Sequence, residues 1–299
     1  MNNKAEDYVS IPKNKINNKN VLITGSTSGI GKEAAKALGR MGANVYIHGR
    51  NKEKGDEIVN YLKETVGTKS KFYQSDFSKL QEVNATVEMI KEDLDELDIL
   101  INNAGGFFRG NKTGTNGIEY TFVVNYLSGF SLTLQLLPLL SKSEEKSHII
   151  FTSSSAHKFP DKFNMNGIRN NTNNWNSYSR SKLAYALFSK TLHKKLSDET
   201  IITTAVHPGV ILGSNFLRSL PGPIHKIGRI ANYLPVPGLS SEAEGGAALI
   251  NPINNSKHSG VYYNKFNRRQ PSDLVQNIDI QKMLWDYSLS ETGIDDIEL

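Results

Sequence analysis

Tyr178 and Lys182 stand four residues apart in Tyr178-Ser-Arg-Ser-Lys182. On a helix that spacing puts a phenol and an ammonium on one face, with Cβ atoms about 5–6 Å apart. A free tyrosine titrates near pH ~10 and is protonated at neutral pH. A fixed positive charge beside it favours the phenolate and draws that value toward neutrality. A tyrosine tuned in this way passes a proton to or from a carbonyl or alcohol oxygen. Tyr-x3-Lys also arises often by chance, and a solvated helix face is the plain alternative. The motifs around it, an upstream Ser154 among them, decide between the two.

A second chemical signal lies near the start of the chain. Asn20-Val-Leu-Ile-Thr24 is a short apolar run, and Gly25-Ser-Thr-Ser28-Gly29-Ile30-Gly31 follows it. Lys32 to Met41 is rich in helix formers. Strand, glycine turn and helix in that order suit a pyrophosphate. The glycines let backbone approach it, and the helix N-terminus offers unpaired N–H groups. The spacing is Gly-x3-Gly-x-Gly rather than the commoner Gly-x-Gly-x-x-Gly.

The next apolar run, Ala43 to His48, ends in Gly49-Arg50. An acidic residue about 20 positions past the glycine turn would bind a ribose 2′-hydroxyl. Arg50 stands there instead, nineteen residues past Gly31. A guanidinium suits a 2′-phosphate, which favours NADP(H) over NAD(H). The alternative is a surface arginine heading a basic helix.

Gly25-x3-Gly29-Ile30-Gly31, Asn102-Asn103-Ala104-Gly105, Ser154, Tyr178-x3-Lys182 and Pro208-Gly209 occur in that order. Together they resemble the short-chain dehydrogenase/reductase family over roughly residues 16 to 294. His48-Gly-Arg-Asn51, Ser153-Ser-Ser-Ala-His157, Ser181 to Phe188 and His207-Pro-Gly-Val210 resemble its retinol-dehydrogenase-like branch.

The resemblance implies roles. Ser154 donates a hydrogen bond to the substrate oxygen, Tyr178 is the general acid/base, and Lys182 lowers the Tyr178 pKa and binds the nicotinamide ribose. Asn125 holds a water that joins Lys182 to a proton relay. Asp76 sits at the adenine edge. Asn103 and Gly105 bring backbone close to the cofactor, as do Gly25, Ser28, Gly29, Ile30, Gly31, Pro208 and Gly209. One departure stands out. The family often has a Thr four residues past Pro-Gly, where this chain has Gly213, with Ser214 next.

Apolar runs at 20–24, 43–48, 71–76, 98–101, 148–152 and 200–206 alternate with helix-like stretches at about 52–66, 79–95, 117–140 and 175–196. Alternation of this kind predicts a doubly wound α/β Rossmann fold, with about seven parallel strands and helices on both faces. One domain over 16–294 is expected, with a cofactor half to about 150, a catalytic half beyond it, and a polar extension at 1–15. Residues 158–174 are polar and Asn-rich, which reads first as a surface loop and second as a border of the substrate. Residues 214–234 carry Phe216, Leu220, Ile224 and Ile227 among Arg218, Lys226 and Arg229. They read as a core-packed helix, a cover over an apolar substrate, or a segment on a membrane surface.

The chain of 299 residues has a net charge of +5, no Cys, and a 38% apolar fraction that can supply a sizeable core. The basic excess suits a phosphorylated cofactor or an anionic membrane. No basic tract with interleaved aromatics suggests nucleic acid, and no His or carboxylate cluster has a metal-ligand spacing. Residues 1–19 show no apolar signal region, so a cytoplasmic protein is expected, with peripheral membrane contact and a homodimer both compatible. The expected activity is NADP(H)-dependent interconversion of a lipophilic alcohol and its aldehyde or ketone. The alternatives are a light-dependent pigment reductase and a non-catalytic NADP-binding module. The absence of Cys weighs against the first, and the complete Asn125, Ser154, Tyr178 and Lys182 set weighs against the second.

Overall fold

Val21, Leu22 and Ile23 are all buried, because their strand is covered on both sides. Leu22 joins Leu100, Ile149 and Phe151 in one core, whereas Val21 and Ile23 join Val45, Ile47, Ile99 and Ile150 in another. Side chains alternate across a strand, so a sheet buried on both faces needs unbroken apolar runs. The computed structural model describes residues 3–169, 173–196, 200–211, 239–255 and 257–297.

Among the described residues the sheet has eight strands: β1 (Asn20–Ile23), β2 (Asn44–Gly49), β3 (Ser70–Gln74), β4 (Ile99–Asn102), β5 (Ser147–Thr152), β6 (Ile201–His207), β7 (Val261–Asn264) and β8 (Asn267–Arg269). Their order is β3-β2-β1-β4-β5-β6-β7-β8. All pairings are parallel except the last, in which β8 runs antiparallel to β7. The fold is the expected α/β sheet with one short edge strand added.

Seven helices of two turns or more are described: α1 (Gly29–Arg40), α2 (Lys52–Asn60), α3 (Leu80–Asp93), α4 (Ser128–Leu140), α5 (Asn174–Lys195), α6 (Glu242–Ile250) and α7 (Ile278–Thr292). Ala34 and Leu38 of α1, Ile58 of α2 and Leu249 of α6 cover one face. Val83 of α3, Leu136 of α4 and Leu187 of α5 cover the other. Helix α7 seals α4 and α5, with Trp285 at 5.5 Å from the Phe130 ring and 6.0 Å from Phe188.

The stretch Tyr120–Leu140 matches a membrane span in length and apolarity, yet 89% of its most apolar window is buried inside the protein. It serves here as a core helix. It enters through a π-helical turn, Val123–Leu127, before α4 begins. The N-terminal extension is anchored by buried Ala5 and Ile11 and by Glu6, which pairs with Arg40 of α1.

Chain order reverses direction at β1, with β2 on one side and β4 on the other. Such a switch point opens a crevice at the carboxyl ends of the strands. The segment 214–234, with Gly213 and Ser214, lies outside the described residues.

Candidate active site

The glycine turn after β1 is held by a clasp from β4. Thr24 Oγ1 accepts the Asn103 and Ala104 N–H groups, each at 2.9 Å. The Asn103 amide donates back to the carbonyls of Thr24 at 2.9 Å and Gly25 at 3.1 Å. Gly25 and Gly29 adopt left-handed φ values of 64° and 59°. A Cβ on Gly25 would lie 2.7 Å from Ala104 Cα, and one on Gly31 would lie 2.6 Å from the Gly25 carbonyl and strike the Asn103 amide. Backbone therefore meets backbone here, which only glycine allows.

His48 supports the turn from below. Its Nδ1 accepts the Gly25 N–H at 3.3 Å and its Nε2 lies 3.0 Å from Ser75 Oγ. Its ring stacks on Phe77 with centroids 4.1 Å apart. Burial holds the imidazole neutral, with its pKa pulled down to about 4. Neutrality matters, because the Gly25 contact needs a lone pair on Nδ1.

Above the turn, Ser28, Gly29 and Ile30 at the N-terminus of α1 line the cavity. N–H groups in a first helical turn have no partner within the helix and attract anions. Arg50 lies at the same end, exposed, with Nη1 donating to Tyr120 Oη at 3.3 Å. Asp76 follows β3, and its Oδ1 accepts the Ser78 N–H at 2.9 Å.

The other end of the cavity carries Ser154, Tyr178 and Lys182. Ser154 caps the turn after β5, where its Oγ accepts the Ala156 N–H at 3.2 Å and also hydrogen-bonds Tyr178. Tyr178 and Lys182 share one face of α5, as their spacing predicts, and the ammonium lies 5.7 Å from the phenol ring centre. Lys182 Nζ donates to the Thr152 carbonyl at 2.8 Å. Asn125 sits behind the cavity in the π-helical turn. Its Oδ1 accepts the Gly106 N–H at 2.9 Å, while its Nδ2 donates to the Gly106 carbonyl at 2.9 Å and to Ser181 Oγ at 3.0 Å. The amide thereby clamps the Gly105-Gly106 backbone.

The electrostatics differ from the expected lowering of Tyr178. Burial pushes the phenol up to about 12, against the opposing effect of the Ser154 hydrogen bond. Burial also pulls Lys182 down to about 7. Both charged forms lose water, and for a phenolate that loss outweighs a neighbouring cation whose own charge is disfavoured. The phenol of the free protein is thus poised as a proton donor.

One cavity of about 450 Å³ gathers these groups. Gly25, Ser28, Gly29, Ile30, Arg50, Asp76, Asn103, Gly105, Ser154, Tyr178, Lys182, Pro208 and Gly209 all line it. Gly31 and Asn125 stand one layer behind. A nicotinamide dinucleotide fits these residues: the glycine cradle admits a pyrophosphate, and two buried polar atoms in the wall, Thr152 Oγ1 and His207 Nδ1, have no protein hydrogen-bond partner. Sequence reasoning missed Thr24, His48, Phe107 and Trp175. Thr24 was visible as the polar end of an apolar strand, and Phe107 as an aromatic beside paired glycines. The loop at 158–174 brings Phe159 and Trp175, near its two ends, together at 5.4 Å.

Comparison with known proteins agrees with this geometry. Residues 19–221 match the family model described as short chain dehydrogenase. Human retinol dehydrogenase 13 is 30% identical, over 97% of this chain and 90% of its own. An uncharacterized protein from Mycobacterium paratuberculosis superimposes with a TM-score of 0.73 at 24% identity, over 98% of each chain. The RhlG/NADP active-site complex from Pseudomonas aeruginosa gives a TM-score of 0.67 at 24% identity, over 85% of this chain and 97% of that one. A glycine cradle at a switch point, a Ser–Tyr–Lys cluster across the same cavity and these matches agree: the chain belongs to the short-chain dehydrogenase family of oxidoreductases, in its retinol-dehydrogenase-like branch.

Proposed function

We propose that the protein is an NADP(H)-dependent oxidoreductase that interconverts a lipophilic alcohol and its aldehyde or ketone. The observation that carries this reading is the single cavity, with an anion cradle and Arg50 at one end and Ser154, Tyr178 and Lys182 at the other. The relative named retinol dehydrogenase 13 and the neighbour named as an NADP complex support it.

A bound nicotinamide would supply or take the hydride. The turn Gly25–Gly31 and the N-terminus of α1 would hold its pyrophosphate, Arg50 would pair with a 2′-phosphate, and Asp76 would border the adenine. Asn103 and Gly105 would bring backbone close to the cofactor, and Pro208 and Gly209 line the same cavity. Ser154 donates to the substrate oxygen and orients it. Tyr178 gives that oxygen a proton in reduction and removes one in oxidation. Lys182 would donate to the ribose hydroxyls of a bound cofactor and steady the phenolate as it forms. Asn125 keeps the Gly105-Gly106 backbone in place, and in the proposed relay holds the water that feeds Lys182. Phe107, Trp175 and Val210 give the substrate end an apolar lining.

A cytoplasmic protein organised as one catalytic domain belongs to the same reading. Sedimentation tests the homodimer, and flotation with anionic vesicles tests the membrane contact. The activity itself is tested by a panel of aldehydes, ketones and alcohols followed by NADPH absorbance in the dark. Turnover is expected for apolar members and lost in Tyr178→Phe, with NADPH binding kept. Turnover only in light, or none, favours a pigment reductase or a non-catalytic module instead.

A further inference from the structure

Among the described residues the exposed large hydrophobic side chains are Tyr8, Met89, Phe159, Trp175, Val210 and Ile278. Single exposed apolar residues are ordinary, whereas a cluster marks a binding surface. Trp175 and Val210 line the cavity, and Phe159 meets the Trp175 ring edge-on at 5.4 Å. Phe159 is 63% exposed and Trp175 40%. Toward the interior, the Tyr178 ring lies 5.9 Å from Trp175 and 5.9 Å from Phe107, which are themselves 6.4 Å apart. Three rings thus make a nearly equilateral triangle with the phenol at one corner. From that corner an aromatic surface runs Tyr178, Trp175, Phe159 and out to solvent.

A wall built only to exclude water could be aliphatic. Rings add a quadrupole, which favours stacked and edge-on contacts with other rings beyond what buried area provides. From this geometry we infer that Phe107, Trp175 and Phe159 select substrates carrying an aromatic ring a few carbons from the reacting carbonyl. The inference rests on the oxidoreductase reading and names the substrate class of that same site.

The test compares phenylpropanal with cyclohexylpropanal, which share a carbon count and an insulated aldehyde. Buried area alone ranks the bulkier saturated ring at least equal. Ring contacts reverse that order, so kcat/KM with NADPH should favour the phenyl compound by about three- to tenfold. Calorimetric binding of the two corresponding unreactive amides should show the same preference. Trp175→Leu should bring both ratios to about one. Phe159→Leu, at a site too exposed to endanger folding, should lower them by about twofold. A wild-type ratio at or below one, or ratios unmoved in both variants, overturns the inference. If no carbonyl turns over at all, the oxidoreductase reading fails, and the amide binding ratios still decide whether the wall selects flat rings.

Discussion

The Lys182 ammonium lies 5.7 Å from the centre of the Tyr178 ring but spends its hydrogen bond on the Thr152 carbonyl at 2.8 Å. The pair is buried, and burial drives the two groups in opposite senses: Tyr178 up to about 12 and Lys182 down to about 7. The free protein therefore holds a protonated phenol across the neutral range.

Direction of turnover should follow from that state. Reduction needs the phenol protonated, and it is so at every pH well below 12. Oxidation needs the phenolate, whose share rises about tenfold with each unit of rising pH while the pH stays below the pKa. Between about pH 6 and 9 carbonyl reduction is expected to change only as Lys182 loses its charge near 7, while alcohol oxidation rises over the same range. Initial rates in both directions across that range check this. A fall of oxidation with rising pH would contradict it.

Acid should unfold the protein cooperatively. Burial pulls His48, His148, His157 and His207 each down to about 4. Their unfolded value is near 6.5, so between the two values the unfolded chain binds more protons and stability falls as pH falls. Unfolding should take up about four protons near pH 5. Urea midpoints at intervals from pH 7 to 4 measure that number, and a midpoint that stays constant over the range would show that these imidazoles are not buried and neutral.

Arg50 should set cofactor preference. Its Nη1 is held by Tyr120 Oη at 3.3 Å, and Tyr120 packs edge-on against Phe108 with centroids 5.0 Å apart. A charge-assisted phosphate contact of about 1.4 kcal/mol gives a tenfold preference. Titrations at one ionic strength should show NADPH bound at least tenfold more tightly than NADH, and Arg50→Ala should remove most of that gap. Tyr120→Phe should remove part of it. Equal affinities in the wild type would count against the assignment.

Gly31→Ala should damage binding through Asn103. The added Cβ would lie 2.6 Å from the Gly25 carbonyl and press on the Asn103 amide, forcing the clasp open. NADPH affinity should drop about tenfold or more, with a modest loss of thermal stability of about 1–3 kcal/mol. Calorimetry and thermal melts on one preparation separate the two effects.

What the sequence disclosed and what it hid follow from physical range. The runs at 20–24 and 200–206 read correctly as strands, because a sheet buried on both faces leaves few polar positions in them. The Tyr178–Lys182 face was legible because helix geometry is local. The direction of the Tyr178 shift was not, since spacing reports proximity and says nothing of burial. Strand β8, Asn267–Arg269, is exposed at every position and carries no apolar signal. The π-helical turn at Asn125 has no compositional mark either. The aromatic wall escaped notice because Phe107 and Trp175 are far apart in sequence and meet only in the fold.

The Thr24–Asn103 clasp has a consequence for how the molecule comes into being. Its hydrogen bonds join Thr24 to Asn103, 79 positions away, so the intervening chain must close before the cradle exists. Long-range closures come late because their entropy is lost before their contacts form. Local strand and helix formation should therefore precede nucleotide capture during refolding. Recovery of the proposed NADPH binding should then time the closing of the central sheet, and a chain that has regained its circular dichroism without that binding would be an assembly intermediate with β1 and β4 still apart.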